Sequence, residues 1–290
     1  VSAYYNEDFD IDTQRDLQPG FCGTLIAIAA PPFQGPCTAS PQTGAVVAAF
    51  EQEVESYALF GQATYFLSDQ FSLTGGLRWT SDDKEGSFQS TTYNPIVAAT
   101  QTASEPFRAL EYSDDQITYL VTLNYRPSED VLAYATFNTG YKSGGFNSNV
   151  SGSSPLSAEQ RVFDSETVEN IELGVKSTLL DGALIANVNL FRTEISDFQD
   201  RSFDGLGFVT RNAGGLRQQG VEFDFKSMTT NNLMLALNGV FLDSEFTSFT
   251  AAAALPGISG VQDLTGQSAH FSPEWLCERL GRVCGLRLLV

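Results

Sequence analysis

An all-β fold, an antiparallel transmembrane β-barrel fragment of about nine or ten strands, is what this sequence predicts. Three observations carry the prediction. Segments of roughly ten residues alternate apolar and polar side chains with a period of two, the length a tilted strand needs to cross a bilayer. The connections between them are by turns a few residues and roughly twenty to thirty residues long. No run approaches the ~18 uninterrupted apolar residues of a transmembrane helix. One-sided alternation also describes a soluble sandwich, but a sandwich has no need of membrane-length strands or of strictly alternating loop lengths.

Taken in order, the opening Val1-Ser2-Ala3-Tyr4-Tyr5 reads as mid-strand sequence with no basic-then-apolar leader, so the parent protein is expected to begin upstream. Asp8, Asp10 and Asp12 project from one side of an extended chain, where their oxygens would suit calcium or simply repel one another in water. Cys22 and Cys37 flank Pro31, Pro32 and Pro36. In an oxidising compartment they would close a surface loop and stabilise it by roughly 3 kcal/mol through the unfolded state; the alternative is two unpaired loop thiols.

The first hairpin joins ESYALFGQATYFLS (55–68) to FSLTGGLRWTSDDKEGSF (71–88) through Ser68-Asp69-Gln70. Tyr57, Leu59, Tyr65, Leu67, Phe71, Leu73, Leu77 and Trp79 share the apolar face, and Ser56, Gln62, Thr64, Thr74, Arg78 and Thr80 the polar one. Residues 82–114 carry no clear periodicity and are expected to form a long outer loop. The second hairpin joins ITYLVTLNY (117–125) to VLAYATFNTGY (131–141) around Pro127, which cannot donate to a ladder and belongs in the turn. A Ser/Gly-rich loop follows from Lys142 to about Ser165. The third hairpin joins ENIELGVKSTLL (169–180) to ALIANVNLFRTEI (183–195) through Asp181-Gly182, with Phe191 breaking the separation of faces. The fourth joins GVEFDFKSM (220–228) to LMLALNGVFLDSEF (233–246). The short turns fall on one side of the membrane and the long loops on the other.

Composition fits half-exposed strands: 42% of residues are hydrophobic and 2 are Met. The net charge of −19, from 35 acidic and 16 basic residues, argues against nucleic acid as a partner, because phosphate neutralisation needs excess Lys and Arg. Tyr4, Tyr5, Tyr57, Tyr65, Trp79, Tyr125, Phe137 and Tyr141 lie near strand ends and suit the aromatic girdles of a membrane barrel, with simple core or lipid packing an equal alternative for any one of them. Asp82, Asp83 and Glu85 sit at a strand end, where divalent ions would bridge them to lipopolysaccharide phosphates. His270, the only histidine, precedes Phe271 in an expected strand and has no second ligand or nucleophile spaced to join it. No nucleophile elbow, zinc-protease, phosphate-loop or dinucleotide motif occurs, so nothing supports an enzyme and no cofactor is called for.

Four segments, TGYKSGGFN (139–147), 169–199, RNAGGLRQQGVEFDF (211–225) and FSPEW (271–275), resemble in order and spacing the C-terminal half of the barrel of TonB-dependent receptors. The resemblance implies a barrel of about 22 strands with a plugged lumen. It further implies uptake of a ferric siderophore or other scarce nutrient across the outer membrane of a Gram-negative bacterium, energised through the TonB complex. Outer-membrane lipid and lipopolysaccharide would surround the wall. This sequence carries no plug and no TonB box, so residues 1–275 are expected to be a partial barrel domain. LCERLGRVCGLRLLV (276–290) lacks alternation and is expected to be an atypical tail of frameshifted or artificial origin, leaving Cys277 and Cys284 without a role. Tyr141, Lys142, Gly144 and Gly145, where a strand leaves the barrel, are the substrate-binding candidates. The glycines also have a purely structural reading as positions of unusual backbone. A passive porin and a soluble β-rich surface binding module are the alternatives.

Overall fold

The structure, a computed structural model, describes residues 2–6, 22–23, 26–27, 30–41, 46–100, 102–150, 155–203, 208–230, 233–253, 261–270, 272–283 and 286–288. Asp8, Asp10, Asp12 and Phe271 lie outside the described residues. Strands β1 (Ser2–Asn6), β2 (Val46–Phe66), β3 (Phe71–Thr92), β4 (Glu105–Ser128) and β5 (Val131–Lys142) begin one antiparallel sheet. Two short strands, β6 (Gly145–Phe146) and β7 (Val162–Phe163), pair outside it, and β8 (Glu166–Leu179) and β9 (Leu184–Ser196) continue it. The hairpin β10 (Gln199–Phe203) and β11 (Phe208–Asn212) stands apart, before β12 (Gly215–Thr230) and β13 (Leu233–Ser248) extend the sheet. After the small pair β14 (Ala252–Ala253) and β15 (Val261–Gln262), β16 (Trp275–Val283) and β17 (Leu286–Leu288) bring the sheet to eleven strands. Each main strand pairs with its predecessor, and the extra pairs all belong to the long connections.

One face of this sheet is apolar and exposed. Tyr57, Leu59, Leu73, Leu77, Trp79, Ile117, Tyr119, Val121, Leu123, Tyr125, Ile171, Leu173 and Val175 all lie on it. The register puts Phe71 opposite Tyr125 and Trp79 opposite Ile117, so the apolar rows align from strand to strand. Phe71 and Tyr125 stack with ring centroids 4.5 Å apart at the turn end. The run from Phe71 to Trp79 falls within the ~9–11 residues that a tilted strand needs to cross an outer membrane. An exposed apolar surface of this extent is unusual for a soluble monomer and marks a face that meets a partner or a membrane.

The long loop expected over 82–114 is instead mostly ladder. β3 and β4 stay paired from Asp82↔Asp114 up to Ser90↔Glu105, and the connection itself is only 93–104, with a helix at Pro95–Thr100. Beyond the apolar band neither face has to be apolar, so strands continue there without the period-two signal. The segment after Trp275 also pairs, from Phe241↔Trp275 to Leu233↔Val283, because backbone hydrogen bonding needs no alternation of side chains. Phe191, the exception in the third hairpin, faces the polar side opposite Gly220, where a Cβ would lie 3.1 Å from its ring. His270 is not in a strand: it lies in a turn before β16, exposed, its ring 6.4 Å from that of Phe246.

Candidate functional site at the outer rim and the polar wall

The face opposite the apolar band is lined by polar and charged groups at alternate positions of the same strands. Across β5, β8, β9, β12 and β13 a groove of about 450 Å³ is walled by Tyr134, Glu172, Asn189, Glu222, Asp224 and Asn238, among others. The Tyr134 hydroxyl donates to Glu172 Oε1 at 2.5 Å, and the tyrosine ring lies over Gly174, where any Cβ would collide with it. Lys226 reaches Asp224 Oδ2 at 3.3 Å. Two amide oxygens on this wall, Asn189 Oδ1 and Asn238 Oδ1, are buried with no hydrogen-bond partner. Three carboxylates, Glu172, Glu222 and Asp224, make this wall complementary to a donor-bearing surface.

Above the apolar band the wall carries a second, denser constellation. Asp82 accepts from Ser56 Oγ at 2.6 Å and from the Tyr141 hydroxyl at 2.7 Å. Burial, and then the Asp82 carboxylate, push the Tyr141 phenol upward. Asp114 accepts from Tyr112 at 3.2 Å and from Gln116 at 3.0 Å. Gly144 ties these strands to the loop beyond β5: its carbonyl accepts from Lys84 Nζ and its N–H donates to Tyr112 Oη at 3.1 Å. Burial lowers the Lys84 pKa, against the pull of Asp82 and Asp114. A Cβ on Gly144 would collide with the Phe163 carbonyl and lie 2.6 Å from the Tyr112 ring, so only glycine permits this approach.

The connections above this tier form a core of their own. Cys22, Ile26, Cys37, Val46, Ala48, Phe50, Phe88, Val97, Leu110, Phe146 and Val150 are buried together. Cys22 and Cys37 are bonded in the structure, with Cα atoms 5.5 Å apart, and Asn94 Nδ2 donates to the Cys37 carbonyl at 3.1 Å. The same Asn94 caps the helix Pro95–Thr100, its Oδ1 accepting from the N–H of Ile96 at 2.9 Å. Val46, Ala48, Phe50, Phe88 and Leu110 belong to the same side of β2, β3 and β4 as Ser56 and Asp82, so the core folds over the polar side of the wall.

At its centre is Arg161, the last residue of the helix Ala158–Arg161 and fully buried. Its guanidinium forms a fork with Glu105, Nε to Oε1 at 2.5 Å and Nη2 to Oε2 at 2.7 Å, and lies 3.3 Å from the centre of the Phe88 ring. Its Nη1 donates to the carbonyls of Asn147 at 2.6 Å and Asn149 at 3.0 Å. Sequence reading passes over Arg161 and Glu105 because 56 residues separate them. The one local signal is the capping box Ser157/Gln160, which marks where the helix carrying Arg161 starts.

The predicted site residues are only partly brought together. Tyr141 is not a girdle residue: beyond the rung Leu120↔Asn138, β5 parts from β4, and its hydroxyl turns to Asp82. Lys142 is exposed, its ammonium 3.8 Å from Glu166. Gly145 packs beneath the Phe163 ring. Asp82, Asp83 and Glu85 do not form one acidic group, because neighbours in a strand point to opposite faces: Asp82 is buried on the polar side, and Asp83 and Glu85 are exposed on the other. Among the described residues no group of His, Cys, Asp and Glu is arranged to hold a metal ion.

Residues 4–276 match the family described as "TonB dependent receptor-like, beta-barrel". The chain is 25% identical over 233 residues to the probable TonB-dependent siderophore receptor PiuA of Acinetobacter baumannii, covering 80% of this chain and 28% of that receptor. It is 28% identical over 195 residues to the pesticin receptor of Yersinia enterocolitica, covering 67% of this chain and 27% of that one. Its fold superimposes on the ferric yersiniabactin uptake receptor FyuA from Yersinia pestis with a TM-score of 0.64, at 20% identity, over 81% of this chain and 32% of the other. The PiuA crystal structure gives 0.64 at 22% identity, over 82% and 32%. This chain therefore spans about a quarter to a third of the length of the receptors it matches.

Proposed function

The chain belongs to the family of TonB-dependent receptors, whose barrels lie in the outer membrane of Gram-negative bacteria and serve transport rather than catalysis, and on that premise we propose that it forms part of the wall of an active importer of a ferric siderophore. The observation that carries the reading is the pairing of a lipid-facing apolar band with a polar wall on the reverse of the same strands. An open sheet cannot persist in lipid, because each edge would leave a row of backbone groups without partners. The sheet therefore closes with further strands into a wide barrel. A lumen of that width needs filling, and Glu172, Glu222 and Asp224 suit a plug surface rich in Arg and Lys. Energy from the TonB complex would act through that plug.

Siderophore cargo is supported by what the similar receptors are named for, PiuA as a siderophore receptor and FyuA as a ferric yersiniabactin receptor. The rim core, folded over the polar side, suits capture and closure better than the open mouth of a passive porin. Of the loop candidates, Lys142 has the exposed charge to meet an anionic chelate, while Tyr141, Gly144 and Gly145 shape the loop that presents it. The test is uptake of radioactive iron, supplied as a panel of ferric siderophores, by cells carrying the complete gene. Saturable uptake of one chelate, abolished by collapsing the proton gradient, is expected. Unsaturable permeation of small solutes that ignores the gradient would overturn the proposal.

A further inference from the structure

We infer that Arg161 is the keystone that makes three outer connections move as one rigid lid. The first connection joins β3 to β4 and ends at Glu105, the second joins β5 to β8 and contains both Arg161 and Asn147, and the third joins β9 to β12 and contains the hairpin β10–β11. Arg161 holds the strand ends that carry the first, through its fork to Glu105, the first residue of β4, and its stack on Phe88 of β3. It holds the second twice, through the Asn147 and Asn149 carbonyls and by accepting from the Asn147 N–H at its own carbonyl, 2.8 Å away.

The side chains of those same two asparagines hold the third. Asn147 Oδ1 accepts from the Thr210 N–H at 2.8 Å, and its Nδ2 donates to the Thr210 carbonyl at 2.9 Å. Asn149 Nδ2 donates to the Phe208 carbonyl, two residues along β11. The asparagine amides thus occupy the place of a neighbouring strand along β11, one residue pair at a time. Asn147 and Asn149 can meet Phe208 and Thr210 together only while their backbone is fixed, and Arg161 is what fixes it. Nearer the wall, Gln199 and Asn212 add a second clamp between the same two connections, both donating to the Asp164 carbonyl, at 3.0 and 2.9 Å. Ordering any one connection therefore orders the others, a reciprocal coupling that does not depend on which cargo the rim meets.

Amide hydrogen exchange of the full-length protein in lipid discs tests this. Arg161→Met keeps an unbranched stem, removes the guanidinium, and alters no group that touches β11. It should nonetheless raise exchange at Thr210 by about tenfold or more, with 145–149 and the helix Ala158–Arg161, while 171–175 in the lipid-facing wall stays unchanged. Asn147→Ala, a milder change, should loosen the Arg161 amide as well as Thr210. If Arg161→Met frees 145–149 and leaves Thr210 as it was, or if Asn147→Ala leaves Arg161 unaffected, the connections are independent and the inference fails. Siderophore uptake plays no part in this readout, so its outcome is separable from the proposed function.

Discussion

Glu105→Ala should cost the rim about 3–5 kcal/mol, because it leaves the buried Arg161 guanidinium without its carboxylate partner. The side chains of Arg161 and Glu105 are 0% and 1% exposed, so neither has solvent to turn to. The loss is local: Phe88, Val97 and Leu110 lose their packing, while the lower wall keeps its ladder. The check is limited proteolysis and native-state exchange over 93–104 and 155–163. A double-mutant cycle sharpens it, because Glu105→Leu with Arg161→Met removes both charges and should recover much of what either change alone loses. Equal costs that simply add would mean that the pair contributes no coupling.

Val121→Arg carries the second large expectation. Val121 lies midway between Ile117 and Tyr125 on the apolar face and is 45% exposed with no protein cover. A charge there meets the bilayer midplane and should cost about 2–4 kcal/mol. Thr122→Arg, one residue along, points to the polar side, where Thr122 meets Thr136 with hydroxyl oxygens 3.0 Å apart. It should cost no more than about 1 kcal/mol, the scale of a single hydrogen bond. Urea-dependent folding into phospholipid vesicles separates the two variants. Equal costs would mean that the two faces of β4 do not differ in environment.

How much of this was legible in the sequence follows from where lipid imposes a rule. Rows such as Leu73/Leu77/Trp79 and Ile171/Leu173/Val175 can be read directly, since hydrocarbon demands an apolar side chain at every second position. Short turns such as Asp181-Gly182 are equally plain, with Gly182 at φ +87°. Above the bilayer that rule lapses. Lys84, Asp82 and Asp114 sit in regular strands yet read as loop, because both faces of the wall there are polar. The rim is built from partners far apart in the chain: Glu105 with Arg161, Asn147 with Thr210, Lys84 with Gly144. No periodicity encodes such pairs. Gly174 under Tyr134 and Gly239 under Phe223 become intelligible only once the strand register sets them side by side. The loop candidates from Tyr141 to Gly145 were found because TGYKSGGFN is locally distinctive, but their partners Asp82, Tyr112 and Phe163 were not.

Everything rests on β4 presenting one face to lipid and the other to a polar interior. Nitroxide labels placed one at a time from Ile117 to Tyr125, in the full-length protein in membranes, measure this directly. Positions 117, 119, 121, 123 and 125 should be relaxed by oxygen dissolved in the bilayer, and the positions between them should not. Oxygen contact without a period of two, or odd positions sealed from both lipid and water, would contradict the account.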